Sequence, residues 1–411
     1  MSYDSYKQSQ QASSEFTKNI MDKSSEYWNT VKSKTSDLLS DLTLETNSKM
    51  GMDQYAGIFL IVIIVLVLVM LIIYIVRQFT KRKSNCNNIN TLTAPTISSM
   101  QPSDLSKSGT SGEPTLLLRD FYVKSAYNCC ASGQFENDWV DLCALNNVIK
   151  QGCRFLDFEI YDLNDIPVVA VSATNNYYEK GSYNYVTFDD AISTIQTNAF
   201  TGGNCPNPKD PLFIHLRIKS NHLDIYNDIS TILTTRLDSK MLPNIYSYEF
   251  GGKNLGAVPL VELLGKVIVI VDKSNPLFEK TSLDEFVNIA SNSVFLRSLT
   301  YSNVVYTNDM TDLINNNKKN MCICKPDLSK TASNYSVTAV KQYGVQFPLM
   351  CFQINDTNLQ TYNTLFNQAG KAFILKPDPL RYEPVQTTPP TEPQITYGYK
   401  EYQSNLYNFN L

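Results

Sequence analysis

The chain has 411 residues, a formal net charge of -4 and nine cysteines. That balance supplies no basic field for nucleic acid. An odd, irregularly spaced cysteine set argues for reduced thiols in cytoplasm over a disulfide framework. Only two histidines are present, and neither Cys129-Cys130 nor Cys322-Ile323-Cys324 has the spacing of a zinc ribbon.

Residues 1–50 form an arm. Phe16, Ile20, Tyr27, Val31, Leu38 and Leu42 recur at helical spacing. They predict an amphipathic helix over 16–42 that lies on a membrane surface or pairs with a partner helix. The high Ser and Thr content leaves a partly disordered arm as the alternative.

The run 57–76 holds no charge and almost no polar atom. About 20 apolar residues cross a bilayer as a helix, so a transmembrane helix is predicted over 54–77. Its distance from Met1 and its length exclude a cleavable signal peptide. Arg77, Lys81, Arg82 and Lys83 follow it, whereas Asp37, Asp41, Glu45, Lys49 and Asp53, a net negative flank, precede it. Lysine and arginine stay on the cytoplasmic side, which places the C-terminal bulk in the cytoplasm. The sequons at Asn334-Tyr335-Ser336 and Asn355-Asp356-Thr357 are then unused. Residues 78–115 read as a basic stop followed by a flexible linker rich in Ser, Thr, Asn and Pro.

From residue 116 short apolar strands alternate with helices. Strands are expected at 121–127, 153–161, 167–173, 212–218, 266–271, 349–354 and 373–375. Helices are expected at 138–150, with Gly152 as a stop, and at 188–200, 225–237 and 359–368. Such alternation over about 250 residues is the size of a (β/α)8 TIM-like barrel. The alternative, a doubly wound open sheet, lacks its glycine-rich phosphate loop. The tail, 383–411, holds Pro, Thr, Gln and Tyr, and Tyr397, Tyr399, Tyr402 and Tyr407 would anchor an extended strap.

An ordered series of short matches resembles the catalytic barrel of phosphoinositide-specific phospholipase C. Gly152-Cys153-Arg154-Phe155-Leu156, Pro167-Val168-Val169 and Pro211-Leu212-Phe213-Ile214 resemble strands of its first (X) half, over 116–245. Ser333-Asn334-Tyr335, Gly344-Val345-Gln346, Phe352-Gln353, Leu375-Lys376-Pro377 and Leu380-Arg381 resemble its second (Y) half, over 246–382.

The resemblance implies a histidine pair for proton transfer and Ca2+ held by carboxylates and an asparagine. Here the first histidine position falls on Ala126, after Ser125; a one-residue shift brings Tyr127 there and Asn128 to the asparagine position. The second falls on Val171, with Ser172 where a glycine is expected. Asp157 and Glu159 keep two carboxylates, but the third becomes Arg217, which cannot ligate a cation. Arg217 is expected to pair with both carboxylates in the place of the metal. The headgroup lysines fall on Ile270 and Asp272, and an arginine and a tyrosine on Cys322 and Cys324. His215 shares a strand face with Arg217 and is a weak candidate acid-base group; His222 reads as helix-capping territory.

These departures imply a membrane-anchored, phospholipase-C-like barrel that has lost catalysis and serves a scaffold, lipid-surface or assembly role, with no cofactor. The alternative is an active phosphoric diester hydrolase acting on phosphatidylinositol through Asp157, Glu159 and His215, with Ca2+ or Arg217 as electrophile. The partners implied are the bilayer, and proteins reached by helix 16–42 and the tail. A bias to Asn, Tyr, Ile and Lys resembles proteins of AT-rich genomes, such as those of protists and large DNA viruses, and in the second case admits a virion membrane.

Overall fold

The computed structural model describes residues 52–105, 116–175, 177, 179–248 and 252–382, with isolated positions between 30 and 37 and between 401 and 410. The helix expected over 16–42 lies almost wholly outside the described residues. So does the tail, apart from an antiparallel pair of strands, Glu401–Gln403 and Asn408–Asn410. The chain divides into two units, Met1–Arg77 and Gln78–Leu411.

Helix α1 (Met52–Asn90) carries the apolar run. It is long and apolar enough to cross a membrane, and its side chains over 59–76 are exposed. Nothing in 77–90 breaks a helix, so it continues through the basic cluster. Its last turns belong to the second unit and pack on it. Lys81 Nζ lies 2.6 Å from Asp138 and Arg82 Nη2 2.7 Å from Asp141, while Trp139 Nε1 donates to the Gln78 carbonyl. Two expectations therefore fail. Residues 91–105 are a strap rather than a flexible linker: Ile97, Met100 and Leu105 are buried, Ser98 N donates to Gly370 O, and Met100 N to Asp210. The cysteines are not all reduced, because Cys86 on α1 is bonded to Cys143, and the other seven are free and buried.

The barrel is built from β2 (Ser125–Ala126), β3 (Phe155–Leu163), β6 (Leu212–Lys219), β7 (Val267–Asp272), β8 (Ile289–Ser291), β9 (Leu296–Thr300), β10 (Met321–Lys325) and β11 (Phe347–Met350). Their order is β8-β7-β6-β3-β2-β11-β10-β9, and every neighbouring pair is parallel. The barrel is nearly closed; β8 and β9 face each other without a ladder. Helices α2 (Leu142–Lys150), α3 (Phe188–Asn198), α4 (Leu223–Leu237), α5 (Tyr301–Val305), α6 (Met310–Lys319), α7 (Val337–Lys341) and α8 (Thr357–Ala369) join the staves. Gly152, just beyond α2, has φ +76° and ends that helix as expected.

The expected strand at 121–127 splits at Lys124 into β1 (Phe121–Val123), which pairs with β12 (Phe373–Leu375), and β2. The strand expected at 167–173 is no barrel stave. It is β4 (Ile166–Ala170), which runs antiparallel to β3 as a hairpin arm and carries β5 (Val186–Thr187). Asn164 and Asp165 make that turn, both with positive φ.

Alternation along the staves sets the interior in layers. Phe155, Phe213 and Phe347 meet at the bottom, with ring centroids 4.6 Å and 5.3 Å apart for Phe155–Phe347 and Phe213–Phe347. Two residues on, Asp157 pairs in register with His215; two further, Glu159 pairs with Arg217. The same parity that fills the core with rings therefore delivers charge to the C-terminal mouth.

Candidate functional site at the barrel mouth

Arg217 is the centre of the mouth. Its Nε donates to Asp157 Oδ1 at 3.0 Å and its Nη2 to Asp157 Oδ2 at 2.9 Å. Nη2 also donates to Asn128 Oδ1 at 2.6 Å, and Nη1 to Glu159 Oε2 at 3.3 Å. All four residues are buried. The guanidinium also lies over the Tyr127 ring, 4.9 Å from its centroid. The expected pairing of Arg217 with both carboxylates is present in the geometry, and it recruits the asparagine as well.

Asn128 owes its place to its backbone. A φ of 45°, which asparagine tolerates, turns its N–H to Asp157 Oδ2 at 3.1 Å while its side-chain oxygen meets Arg217. Its Nδ2 is buried without a partner among the described residues. Burial pushes the Asp157 carboxyl up, but the charges of Arg217 and His215 and their hydrogen bonds prevail, and the group is held well below the usual carboxylate range. Burial pushes Arg217 down; Asp157, Tyr127 and Glu159 outweigh it, so the guanidinium stays charged.

His215 is placed between Asp157 and Ser291: Nδ1 is 2.7 Å from Asp157 Oδ1 and Nε2 is 2.9 Å from Ser291 Oγ. The order Asp–His–Ser is that of a nucleophilic relay. Ser291, however, is wholly buried, and His215 is 1% exposed, so no substrate atom reaches the hydroxyl. Ser291 escaped the sequence reading because β8 is three residues long.

Of the remaining positions, Asp272 is a carboxylate at the mouth that accepts from Ser274 N and Asn292 Nδ2; the others offer no proton-transfer group. Ala126 and Ile270 are wholly buried, and Cys322 and Cys324 lie in the interior of β10. Val171 is buried and its carbonyl accepts from Gly181 and Ser182. Burial raises the Tyr127 phenol above its ordinary range, which suits no general base. His222 pairs with Asp162 at the surface. A divalent cation does not fit among Asn128, Asp157 and Glu159 as they stand, because Arg217 already occupies their oxygens and repels it. Two lysines the sequence reading passed over, Lys219 and Lys325, also face the mouth. Lys219 was legible by parity, being two residues beyond Arg217.

No family model matches the sequence, and no curated protein matches it. Solved structures do. PLC21 of L. pealei superposes with a TM-score of 0.53 at 16% identity, over 65% of this chain and 38% of that one. PLC21 of S. officinalis gives 0.52, also at 16% identity, with the same coverage of both chains. A calcium-dependent phosphoinositol-specific phospholipase C from Pseudomonas sp. gives 0.44 at 9%, covering 69% of this chain and all of that one. This chain thus spans less than half the length of the two PLC21 proteins. It carries the barrel fold of phosphoinositide-specific phospholipase C and, among the described residues, one helix long and apolar enough to cross a membrane.

Proposed function

We propose that the chain is a membrane-anchored barrel that keeps the phospholipase C scaffold without its phosphodiester chemistry, and that serves in assembly or at a lipid surface. The observation that carries this reading is Arg217. Its four hydrogen bonds take up Asn128, Asp157 and Glu159, the residues that the resemblance gives to calcium. Transphosphorylation needs a base, an acid and a cation on the phosphate. Ala126 and Val171 provide neither of the first two.

The N-terminal arm and the tail are the segments we assign to protein partners, and the bilayer is the other partner. The basic flank favours a cytoplasmic barrel, and the bias to Asn, Tyr, Ile and Lys, which resembles proteins of protists and of large DNA viruses, is compatible with a virion membrane. In that setting the Cys86–Cys143 bridge would close in the released particle, outside the reducing cytosol.

The test is full-length protein in detergent, assayed on phosphatidylinositol with and without Ca2+. No turnover is expected. Turnover abolished by Asp157→Asn would establish the alternative, an active phosphoric diester hydrolase with a rearranged site. Recovery from the native membrane as a lone monomer would contradict the assembly role.

A further inference from the structure

Each of the other staves is followed by helical turns before the next begins. β8 runs into β9 through residues 292–295 alone, so no helix covers the outer wall there. A groove of about 620 Å3 lies in that gap. Tyr248, Val294 and Phe295 are its apolar and aromatic walls, Lys253, Lys273 and Arg297 its charged ones, and no carboxylate is among its described walls. It shares no described residue with the mouth, and none of the positions that the resemblance gives to protons, metal or headgroup lines it.

Two of the cations are already paired: Lys273 with Glu279 at 2.7 Å, and Arg297 with Asp312 of α6 at 3.3 Å. Lys253 is exposed and has no partner among the described residues. The chain itself passes the edge of the groove. The Tyr382 ring lies 4.9 Å from the Arg119 guanidinium, and Arg119 Nη1 and Asn254 Nδ2 both donate to the Lys319 carbonyl. Asn254 adjoins Lys253, and Asn320, next to Lys319, donates to Asn316 on the groove wall. The tail therefore leaves the barrel beside the groove. Residues 383–395 lie outside the described residues. Their sequence holds Pro384, Pro389, Pro390 and Pro393, the carboxylates Glu383 and Glu392, and no Lys or Arg.

We propose that the proline-rich start of the tail, residues 383–395, docks in this groove of its own barrel as a polyproline II strand, with prolines on Tyr248 and Phe295 and Glu392 beside Lys253. Such strands have no internal hydrogen bonds and are extended before they bind, so they settle on aromatic-lined grooves at small entropic cost. With three residues per turn, Pro390 and Pro393 fall on one face. At about 3.1 Å per residue, Pro390 lies within roughly 25 Å of Tyr382 along the strand. Glu383 and Glu392 supply the charge opposite to that of the groove. Tethering holds the segment at an effective concentration on the order of mM, so a weak contact suffices. A strap so placed covers the wall that lacks a helix and leaves residues 396–411 to the protein partners assigned above.

The experiment treats full-length protein in nanodiscs of phosphatidylcholine with a water-soluble carbodiimide, which joins a carboxylate directly to an amine, and reads the linked peptides by mass spectrometry. An equal mixture of unlabelled and isotope-labelled protein separates links within one copy from links between copies. Links from Glu392 to Lys253 or Lys273 within one copy are expected. Val294→Asp puts a carboxylate in the groove at a position 75% exposed, where the fold tolerates it. The yield should fall severalfold in that variant and in Pro390→Ala/Pro393→Ala. Links found only between labelled and unlabelled copies overturn the proposal and give the groove to the tail of a second copy. Absence of a link to either lysine, or a yield unchanged in both variants, overturns it as well. Each of these outcomes leaves the non-hydrolytic reading of the mouth standing.

Discussion

Arg217 grips Asp157 side-on, with Nε and Nη2 donating to its two oxygens at 3.0 and 2.9 Å. The pair is buried in the barrel, and the same carboxylate is also bonded by His215 and by Asn128 N. Truncating one partner of such a pair strands the other charge. Arg217→Ala should therefore cost about 3–5 kcal/mol of stability, seen as a large fall in denaturation midpoint. Adding Asp157→Asn and Glu159→Gln should recover part of it. A neutral Arg217→Ala would show that the pair is not the structural centre of the mouth.

The buried relay Asp157–His215–Ser291 has the geometry of a nucleophile site without access. Fluorophosphonate probes should leave Ser291 unlabelled in the folded protein. Replacing Ser291 with alanine should cost about 1 kcal/mol, the price of one hydrogen bond to a buried ring. Labelling at Ser291, found by peptide mass spectrometry, would reopen the question of a hydrolase.

The bridge between Cys86 and Cys143 joins residues 57 apart. Closing a loop of that length is worth about 4 kcal/mol in the chain-entropy account. Alkylation of the native protein should label no cysteine before reduction and two after it, since the other seven are buried. Melting should fall on reduction. Two thiols free without reductant, in protein taken directly from its native membrane, would show that the bridge does not form there.

Lys376 is buried on the carbonyl of Asn317, and burial lowers its pKa to about 7. Its ordinary value is 10.5. Between those values the unfolded chain holds more protons than the folded one, so this group makes stability rise with pH, by at most about 1.4 kcal/mol per unit. Above about pH 9 the buried thiols, whose pKa values are raised, oppose it. Wild-type protein should therefore gain stability from pH 7 to 9, and Lys376→Met should show less of that gain.

The residues that made the fold legible in the sequence are braces. Gln346 accepts from Cys322 N and donates to Asn317 O; Asn334 ties the Cys351 backbone at both N–H and carbonyl; Tyr335 donates to Cys324 O. Such bonds satisfy buried backbone at strand ends, and they persist while the chemistry around them changes. Asn334 is thereby spoken for and buried, so its sequon is closed to a glycan in the folded chain; Asn355 is exposed. The parts that were not legible lack a repeating pattern. β8 and β10 are three and five residues long with no alternation. The strap 91–105 is pinned by a few anchors, and the bridge depends on α1 running on through its basic cluster. The hairpin at Asn164-Asp165 carried a turn signal that the strand expectation at 167–173 ignored.

The most direct measurement is calorimetric titration of Ca2+ into full-length protein. The account predicts no saturable heat, because the Arg217 guanidinium fills the space among Asn128, Asp157 and Glu159. One equivalent of bound Ca2+, lost in Asp157→Asn, would contradict it.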